Sequence, residues 1–346
     1  MRILFISGRL GGGGSERVLV NLANEFYDNN YEVEILCFNQ YDNNYNCKTH
    51  VSFLRHRKGF LQILNLRKFI KKYNPDCIIS FEYYVAIKTI LSCIGLNYRI
   101  IVSERNDPHK LDKKKIKSFI RNWCYKKSDV LVCQTDDARL FFESHGIKNC
   151  QVVLNPITSD LPLWNNKESN IIINYCRFEK QKNLFLLIDA VEELRNKYDI
   201  VLELYGEGSQ KDCLIEYVKN KNMNSYIHIK PFNNKIHEIV SNALIFVSTS
   251  DYEGLSNSMI ESMAIGIPVI CTDCPIGGAK MLIKNHYNGT LVPVGQKKEL
   301  VNEIELLLKN KSLREKYYIN EIKIRDELAL HNIFLKWEKL VSEEKK

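Results

Sequence analysis

Short apolar runs alternate with longer amphipathic patterns along the chain, in two successive blocks. In the first block, strands are predicted at residues 2–7, 33–38, 51–54, 76–81, 99–103, 130–134 and 151–154, and helices at 15–29, 60–73, 82–94, 112–127 and 135–144. Runs such as 33–38 (VEILCF) are largely apolar on both faces, which is typical of parallel strands covered by helices on each side. This block is therefore predicted to be an open, doubly wound α/β domain.

The alternation restarts after a polar stretch that follows Pro156. Strands are predicted at residues 171–176, 200–205, 226–229, 244–248, 268–271 and 289–292, with helices between them and from 297 to the end. Because a single core rarely grows beyond about 250 to 300 residues, we expect two domains, 1–160 and 161–325, with 326–346 as a helix packing on the first. The predicted fold class is α/β, with two Rossmann-like, doubly wound domains facing a central cleft.

The positive charge of the chain is unevenly distributed. The net charge of +8 lies entirely in residues 1–160, which contain 24 Lys and Arg against 16 Asp and Glu, whereas residues 161–346 contain 25 of each. This asymmetry fits an anionic partner, such as nucleic acid, a phosphorylated substrate or an acidic membrane leaflet. It fits equally well the general richness of this chain in Asn, Lys and Ile.

The basic residues of the first half form three clusters. They are residues 55–58 (RHRK), a helical pattern that carries Arg67, Lys68, Lys71 and Lys72 beside Phe60, Leu61, Leu64 and Phe69, and Lys110 with Lys113, Lys114, Lys115 and Lys117. A basic amphipathic helix can lie at a membrane interface, so an anionic membrane surface is an expected partner.

The cysteines and the N-terminal residues indicate the compartment. The eleven cysteines are odd in number, and several lie inside apolar runs (Cys37, Cys77, Cys133, Cys176), which is typical of buried thiols in a reducing compartment. Met1 leads directly into a strand pattern, and no segment approaches about 18 uninterrupted apolar residues. We predict a cytoplasmic protein, without a secretion signal or a membrane span, that binds peripherally to the inner face of the plasma membrane.

Four consecutive glycines, residues 11–14, follow the first predicted strand and precede a helix. A tight turn needs one or two glycines, whereas four in a row let backbone N–H groups approach a phosphate or a sugar, with Ser15 as the predicted N-cap. The dinucleotide-binding pattern fails, because Glu16 replaces its third glycine and Asn39 replaces the acidic residue after the second strand. NAD binding is therefore not expected.

A basic segment, residues 177–183 (RFEKQKN), follows the first strand of the second block and opens a helix. Two cations and a helix N-terminus at the mouth of a sheet suit a nucleotide diphosphate, which leaves as a multiply charged anion. An exposed basic turn would have the same composition, so this segment alone leaves both interpretations open.

Residues 253–261 (EGLSNSMIE) carry two acids separated by seven residues. If a helix starts near Ser256, Glu261 projects from its second turn and Glu253 lies in the preceding loop, so the two carboxylates can bracket one extended ligand. The N–H groups of residues 255–257 would face a diphosphate between them. A surface helix with two solvated acids explains neither Gly254 nor this placement.

Four segments together resemble family 4 of the retaining glycosyltransferases, in the right order and over nearly the whole chain. They are the glycine loop with residues 16–23 (ERVLVNLA), residues 103–108 (SERNDP), residues 177–183 and residues 253–275. The similarity is strongest from 244 to 295, where residues 273–278 (DCPIGG) and 288–295 (NGTLVPVG) also fit. The resemblance implies a GT-B fold, a nucleotide-sugar donor bound mainly by the second domain, and an acceptor bound by the first.

The resemblance also implies roles for individual residues. Arg177 and Lys182 would bind the donor diphosphate, Glu261 the nucleotide ribose, and Glu253 the hydroxyls of the transferred sugar. Gly13 and Gly14 would approach the donor from the opposing domain, and Asn233 or Asn234 would lie near the nucleobase. The other donor-binding candidates are Leu255, Ser256 and Asn257. The resemblance further implies that no metal is obligatory, which agrees with the absence of an Asp-x-Asp motif, and we expect no cofactor beyond the nucleotide diphosphate sugar as co-substrate.

The acceptor side departs from the family pattern. Many members carry a His-Asp pair after the fifth strand, where this chain has residues 104–109 (ERNDPH). The acceptor-side candidates are therefore Glu104, Arg105, Asp107 and His109, of which the histidine is more often a surface residue than a catalyst in such a setting. Cys271 and Cys274 have the spacing of metal ligands, but they lack a second pair and are interpreted as structural.

The resulting functional prediction is retaining transfer of a sugar from a UDP-hexose or UDP-N-acetylhexosamine to a saccharide or lipid-linked glycan, in surface polysaccharide synthesis. A GT-B sugar-nucleotide epimerase or hydrolase is an alternative. An inactive GT-B binding or scaffold protein is another, although the presence of Arg177, Lys182 and Glu253 argues against it. Nucleic acid is not an expected partner.

Overall fold

The computed structural model describes residues 1–11, 13–40, 45–54, 59–111, 115–158, 160–165 and 168–343, except for the side chains of residues 110 and 111. Gly12, the basic cluster at 55–58, the side chain of Lys110, and Lys113 and Lys114 lie outside this description. The chain divides into two compact units, one formed by Met1–Pro156 with Leu328–Lys346 and the other by Ile157–Glu327.

The first unit is built on a parallel sheet whose strands are joined by helices. In chain order its elements are β1 (Arg2–Ser7), α1 (Gly14–Asp28), β2 (Glu32–Cys37), β3 (His50–Phe53), α2 (Phe60–Tyr73), β4 (Cys77–Phe81), α3 (Tyr83–Cys93), β5 (Arg99–Ser103), α4 (Lys115–Tyr125), β6 (Val130–Cys133), α5 (Asp136–Ser144) and β7 (Cys150–Val152). The strands pair in the order β3-β2-β1-β4-β5-β6-β7, always in parallel. The central strands are buried on both faces, as their apolar runs predict.

The second unit repeats this architecture. Its elements are β8 (Ile171–Tyr175), α6 (Leu184–Arg195), β9 (Val201–Tyr205), α7 (Lys211–Asn220), β10 (Ile227–Lys230), α8 (Ile236–Ser241), β11 (Ile245–Ser248), α9 (Asn257–Ile265), β12 (Val269–Thr272), β13 (Thr290–Val292), α10 (Lys297–Lys309), α11 (Lys311–Glu321) and α12 (Ile324–Glu327). The strand order is β10-β9-β8-β11-β12-β13, again entirely parallel. The prediction of two doubly wound α/β domains is thus confirmed.

The last helix, α13 (Leu330–Ser342), belongs to the first unit. Its Phe334 ring meets that of Phe26 on α1 edge-on, with centroids 4.9 Å apart, and Trp337 stacks on Phe81 at the end of β4. Arg99 of β5 donates a hydrogen bond through Nε to the carbonyl oxygen of Leu340 (2.9 Å). The chain therefore leaves the first core at residue 156 and returns to complete it.

In each sheet the strand order reverses between two neighbouring strands, which are β1 and β4 in the first unit and β8 and β11 in the second. Ligands of open α/β sheets bind outside the carboxyl ends of the strands at such a reversal. The glycine loop and Glu82 follow β1 and β4, and residues 177–183 and 249–256 follow β8 and β11. Three of these segments, the glycine loop and the loops of residues 177–183 and 249–256, carry residues singled out from the sequence, and they lie where a ligand is expected.

The start of α1 differs from the prediction. Gly13, not Ser15, is the N-cap, and the helix begins at Gly14. Glu16 explains the difference, because its Oε2 accepts hydrogen bonds from the backbone N–H groups of Gly11 and Gly13 (3.1 Å for Gly13). An acidic side chain from the first turn thus binds the backbone N–H groups that directly precede the helix.

None of the helices in the described residues combines the length and the apolar character that crossing a bilayer requires. All eleven cysteines are free thiols, and most of them are buried.

Candidate functional site

The loops after β8, β11 and β12 meet at one edge of the second sheet, because these strands are neighbours and run in parallel. The backbone N–H of Asp251 donates to the carbonyl oxygen of Gln181 (2.9 Å), and the Asn183 amide donates to the Asp251 carboxylate (2.7 Å). The Thr272 hydroxyl donates to the carbonyl oxygen of Ser250 (2.6 Å). These bonds hold the three loops against one another.

Lys182 and Glu253, both predicted as catalytic, form an ion pair in these loops. Lys182 Nζ lies 2.5 Å from Glu253 Oε2, and the two side chains are only 12% and 21% exposed. The same oxygen also accepts hydrogen bonds from the Gln181 amide (3.3 Å) and the Ser250 hydroxyl (3.2 Å). Within the described residues nothing donates to Glu253 Oε1, so this oxygen can accept a hydrogen bond from a ligand.

The two predicted cations of this region differ in their surroundings. Burial by itself would lower the pKa of the Lys182 ammonium, but the carboxylate of Glu253 outweighs it and the pKa is raised, so the cation is held in place. Arg177 is exposed. A Cβ at Gly206, in the loop after β9, would overlap the carbonyl oxygen of Cys176, so glycine there lets the two loops touch and supports the segment that carries Arg177.

The N-terminus of α9 follows Glu253 directly. As predicted, the helix starts near Ser256, which is its N-cap and accepts a hydrogen bond from the Met259 backbone N–H (3.5 Å). Leu255 and Ser256 are buried and Asn257 is half-buried. A Cβ at Gly278, in the loop after β12, would overlap the carbonyl oxygen of Gly254, so this backbone is fixed from a second side. The first N–H groups of such a helix lack intrahelical partners and can bind an anion.

Glu261, on the second turn of α9, is only 3% exposed. Its Oε2 lies 2.9 Å from Nε2 of His237 on α8 and 3.5 Å from the hydroxyl of Tyr175 at the end of β8. The Tyr175 hydroxyl also donates to the carbonyl oxygen of Ser258 (2.8 Å). His237 and Tyr175 therefore set the position of Glu261. Neither residue was predicted from the sequence, because neither belongs to a pattern with recognisable spacing.

Asn233 and Asn234 lie exposed in the loop between β10 and α8. The side-chain oxygen of Asn233 accepts a hydrogen bond from the backbone N–H of Lys235 (2.8 Å). This local bond shapes the loop that leads into α8, the helix that carries His237. A contact of either asparagine with a nucleobase stays a prediction.

The glycine loop of the first unit is organised by Glu16, which is buried beside it. Glu16 binds the N–H groups of Gly11 and Gly13, and its Oε1 lies 3.5 Å from Arg9 Nε. The signal for this role was present, since Glu16 stands three residues after Gly13, the spacing of a capping box. Gly14 is exposed at the first turn of α1. The roles of Gly13 and Gly14 toward a donor stay predictions.

Glu82, after β4, was not singled out from the sequence. It precedes α3 with φ of 70°, a conformation that costs a non-glycine residue free energy and that often occurs at functional sites. Burial raises the pKa of its carboxyl group, and a hydrogen bond with Tyr84 opposes this shift. A glutamate with a strained backbone therefore lies at the strand reversal of the first sheet.

The four acceptor-side candidates follow β5. Glu104 is buried and uses both carboxylate oxygens within the unit, accepting from the Arg105 N–H (3.0 Å) and the Tyr125 hydroxyl (2.8 Å). Burial raises the pKa of Glu104 and lowers that of Arg105. Asp107 is buried and accepts from the His109 N–H (2.9 Å), whereas His109 itself is exposed. These contacts shape the loop, and binding of an acceptor by these residues stays a prediction.

The guanidinium group of Arg105 is held by two further contacts. It lies 4.1 Å from the centre of the Phe81 ring and donates to the side-chain oxygen of Asn155. Its Nε has no hydrogen-bond partner in the described structure, although it is fully buried. The position of Arg105 is thus set by Phe81 at the end of β4 and by Asn155 after β7.

Within the described residues, no three His, Cys, Asp or Glu side chains come together in an arrangement that would hold a metal ion. Cys274 Sγ donates to the carbonyl oxygen of Ser250 (2.9 Å), and burial raises its pKa to about 11. Burial also raises the pKa of Cys271 well above the ordinary value. Both are neutral thiols at neutral pH, which supports the structural interpretation of this pair.

Two family models match the chain: Glycosyltransferase Family 4 over residues 12–161, and Glycosyl transferases group 1 over residues 162–324. Two Campylobacter jejuni proteins are among the similar ones. An α-1,4-N-acetyl-D-galactosaminyltransferase named for a GalNAc-containing diNAcBac-PP-undecaprenol substrate is 27% identical, over 100% of this chain and 99% of its own. An N-acetylgalactosamine-N,N'-diacetylbacillosaminyl-diphospho-undecaprenol 4-α-N-acetylgalactosaminyltransferase is 27% identical, over 91% and 92%.

Solved structures share the fold. HepE from Anabaena, in complex with UDP-glucose, superposes with a TM-score of 0.87 at 16% identity, covering 99% of both chains. A variant of TarM from S. aureus, in complex with UDP and α-GlcNAc-glycerol among other ligands, superposes with a TM-score of 0.85 at 15% identity. The superposition covers 99% of this chain and 100% of the TarM chain. The two family models together run from residue 12 to residue 324. The chain therefore belongs to the group 1, family 4 glycosyltransferases, with the two parallel-sheet α/β domains of the GT-B fold.

Proposed function

We propose that this glycosyltransferase uses a nucleotide diphosphate sugar, bound mainly by its second unit, and retains the anomeric configuration of the transferred sugar. The observation that carries the proposal is the Lys182–Glu253 ion pair, which lies beside the N-terminus of α9 at the strand reversal between β8 and β11. A held cation, a carboxylate oxygen without a donor and the N-terminus of a helix are the features that a leaving diphosphate and a sugar hydroxyl require.

In the proposed reaction the bond between the anomeric carbon and the diphosphate oxygen breaks, and the diphosphate keeps the electron pair. Arg177, Lys182 and the N–H groups of residues 255–257 would balance its growing negative charge. Removing one such donor from a developing charge typically costs about 3 to 4 kcal/mol. These groups also explain how the leaving group could be stabilised without an obligatory metal.

The transferred sugar and the nucleoside would be held by the two acids. Oε1 of Glu253 can accept a hydrogen bond from a sugar hydroxyl, because Lys182, Gln181 and Ser250 all bind the other oxygen, Oε2. Glu261 would bind the ribose hydroxyls in the orientation that His237 gives it. The acceptor hydroxyl would then attack the face from which the diphosphate departs, with its proton passing to the departing diphosphate oxygen.

UDP-hexose or UDP-N-acetylhexosamine is the proposed donor. The support is similarity to HepE, whose structures contain UDP, UDP-glucose or UDP with glucose, and to the two N-acetylgalactosaminyltransferases. The latter are named for undecaprenol-diphosphate-linked substrates, and another similar protein is an amylovoran biosynthesis glycosyltransferase of Erwinia amylovora. We therefore propose a saccharide or lipid-linked glycan acceptor, in surface polysaccharide synthesis.

A lipid-linked acceptor would bring the enzyme to the inner face of the plasma membrane from the cytoplasm. The excess of basic residues in the first 160 positions fits an anionic leaflet. In the described part of the chain the helix α2 carries Lys68, Lys71 and Lys72, all exposed. Nucleic acid is not a proposed partner.

Calorimetric titration of the full chain with UDP, UDP-glucose, UDP-N-acetylglucosamine, UDP-N-acetylgalactosamine and GDP-mannose, in the presence of EDTA, tests the donor proposal. We expect the UDP compounds to bind with the chelator present, because cations of the protein replace a metal. Absence of binding by every nucleotide, or binding only after a divalent metal is added, would contradict the proposed donor site.

A further inference from the structure

Helix α4 presents an apolar stripe to solvent. Four large side chains at i, i+3, i+4 and i+7 are exposed: Ile116 by 77%, Phe119 by 72%, Ile120 by 41% and Trp123 by 42%. This spacing places them on a single face of the helix. An apolar face of this kind normally packs on a core, but no described part of the first unit covers it.

The opposite face of α4 is polar and fixes the orientation of the helix. Its buried residues are Ser118, Arg121, Cys124 and Tyr125. Arg121 donates through Nη1 to the carbonyl oxygen of Pro108 (2.9 Å) and lies 5.0 Å from the centre of the Phe142 ring. Turning the apolar stripe inward would break this contact and the bond from Tyr125 to Glu104. The outward direction of the stripe is therefore built into the packing.

Cations border the stripe. Lys115 and Lys117 are exposed and lie about 100° to either side of Ile116 on the helix, and Lys126 is exposed beyond its end. Lys127 Nζ lies 4.7 Å from the centre of the Trp123 ring. Lysines of this kind extend apolar stems beside a buried face and keep their ammonium groups among polar head groups.

We propose that α4 lies in the interface of an anionic membrane, with the stripe among the acyl chains and the bordering lysines at acidic head groups. Its eleven residues measure about 16 Å, which suits a helix lying in the interface rather than crossing it. Tryptophan is a residue that favours this interface. A second copy of the chain is a poorer occupant, because it would bring the lysines around two stripes together.

A second helix of the first unit also exposes apolar side chains. Phe60, Leu61 and Leu64, in the first turns of α2, are exposed as well, and α2 and α4 both pack against α3. This inference deepens the proposed function, on which it rests for the lipid-linked acceptor. Vesicle binding itself needs neither a donor nor transfer, so the membrane proposal and the proposed function can fail separately.

Tryptophan fluorescence with lipid vesicles tests the proposal. The chain has three tryptophans, and Trp164 and Trp337 are 3% and 0% exposed, so Trp123 dominates any change on binding. With vesicles of phosphatidylglycerol and phosphatidylcholine we expect a blue shift of the emission, and quenching when the acyl chains are brominated. Trp123→Phe should still sediment with vesicles but lose the quenching.

The matched variants are Ile116→Ser/Phe119→Ser, in the stripe, and Ile215→Ser/Ile319→Ser, at exposed apolar positions of the second unit. Unfolding curves and circular dichroism verify that both variants fold. The stripe variant should lower vesicle partitioning at least about tenfold, and the control should leave it unchanged. Raised salt should weaken binding without abolishing it, because insertion of apolar side chains is not screened.

Three results would overturn the proposal: no binding to acidic vesicles, binding without quenching of Trp123, or equal binding by the stripe variant. A concentration-dependent dimer that disappears in the stripe variant, without vesicle binding by the wild type, would assign the stripe to self-association instead. If the protein binds vesicles as expected but no nucleotide sugar supports transfer, the proposed function is wrong and the proposed membrane-binding role of α4 is still supported.

Discussion

Replacing Lys182 by methionine removes the charge proposed to face the leaving diphosphate and keeps the length of the side chain. Lys182 is only 12% exposed and its cation is held 2.5 Å from Glu253 Oε2, so solvent screens it little. A unit charge about 4 Å away contributes about 4 kcal/mol at an effective dielectric constant of about 20, in line with the 3 to 4 kcal/mol measured for single donors. Since each 1.4 kcal/mol is tenfold in rate, kcat/KM should fall about 100- to 1000-fold.

The assay is the initial rate of UDP release in the presence of acceptor, together with calorimetric titration of UDP. Part of the loss should appear as weaker UDP binding and the larger part in kcat, because the diphosphate gains negative charge as it departs. The matched control is Lys180→Met, because Lys180 lies with Lys182 in one short 3-10 helix (Lys180–Lys182) but is exposed. If Lys182→Met is folded and turns over within about threefold of the wild type, the diphosphate role of Lys182 is wrong.

Three further changes should have separable effects. Arg177→Ala should also reduce kcat/KM about 100-fold or more while leaving the unfolding curve unchanged, because the side chain is exposed; a loss confined to stability would argue against a role with the ligand. His237→Ala should raise KM for the donor about tenfold with little change in kcat, since a ribose contact is equal in ground and transition states; the steady-state parameters decide this, and His237→Gln should restore part of the affinity. Glu321→Gln should remove a pH dependence of stability. Glu321 is fully buried with one oxygen unpaired among the described residues, and burial raises its pKa well above the ordinary value. The folded state therefore keeps a proton that the unfolded state loses. As pH rises above about 5, the free energy of unfolding of the wild type should fall relative to that of Glu321→Gln by about 1.4 kcal/mol per pH unit, until the folded carboxyl group ionises. Urea unfolding at several pH values measures this, and a difference between the two proteins that does not change with pH would contradict the proposed titration of Glu321.

The fold could be predicted because parallel strands buried on both faces leave a strong local pattern. The runs at 76–81 and 244–248 become β4 and β11 with boundaries shifted by no more than one residue. The loops that carry Lys182 and Glu253 could be placed for the same reason, since a parallel sheet sends successive strand ends to one edge.

What could not be predicted depends on contacts between distant residues. His237 is 24 positions from Glu261 in the chain, and an isolated histidine on a six-residue helix carries no pattern that reveals its partner. The ion pair of Lys182 with Glu253 spans 71 positions. The apolar face of α4 was not singled out from the sequence, because the apolar side of an amphipathic helix is normally the buried one. Only the contacts of Arg121 and Tyr125 show that the polar side faces the core.

The structure of the product tests retaining glycosyl transfer by this enzyme. Purified full-length enzyme is incubated with an α-configured UDP-sugar that binds and with a lipid-linked or saccharide acceptor, and the new linkage is determined by NMR. We expect an α-linked sugar on the acceptor and one released UDP per linkage formed. A β-linked product would contradict retention, and free sugar or an epimerised nucleotide sugar as the sole product would contradict glycosyl transfer to this acceptor.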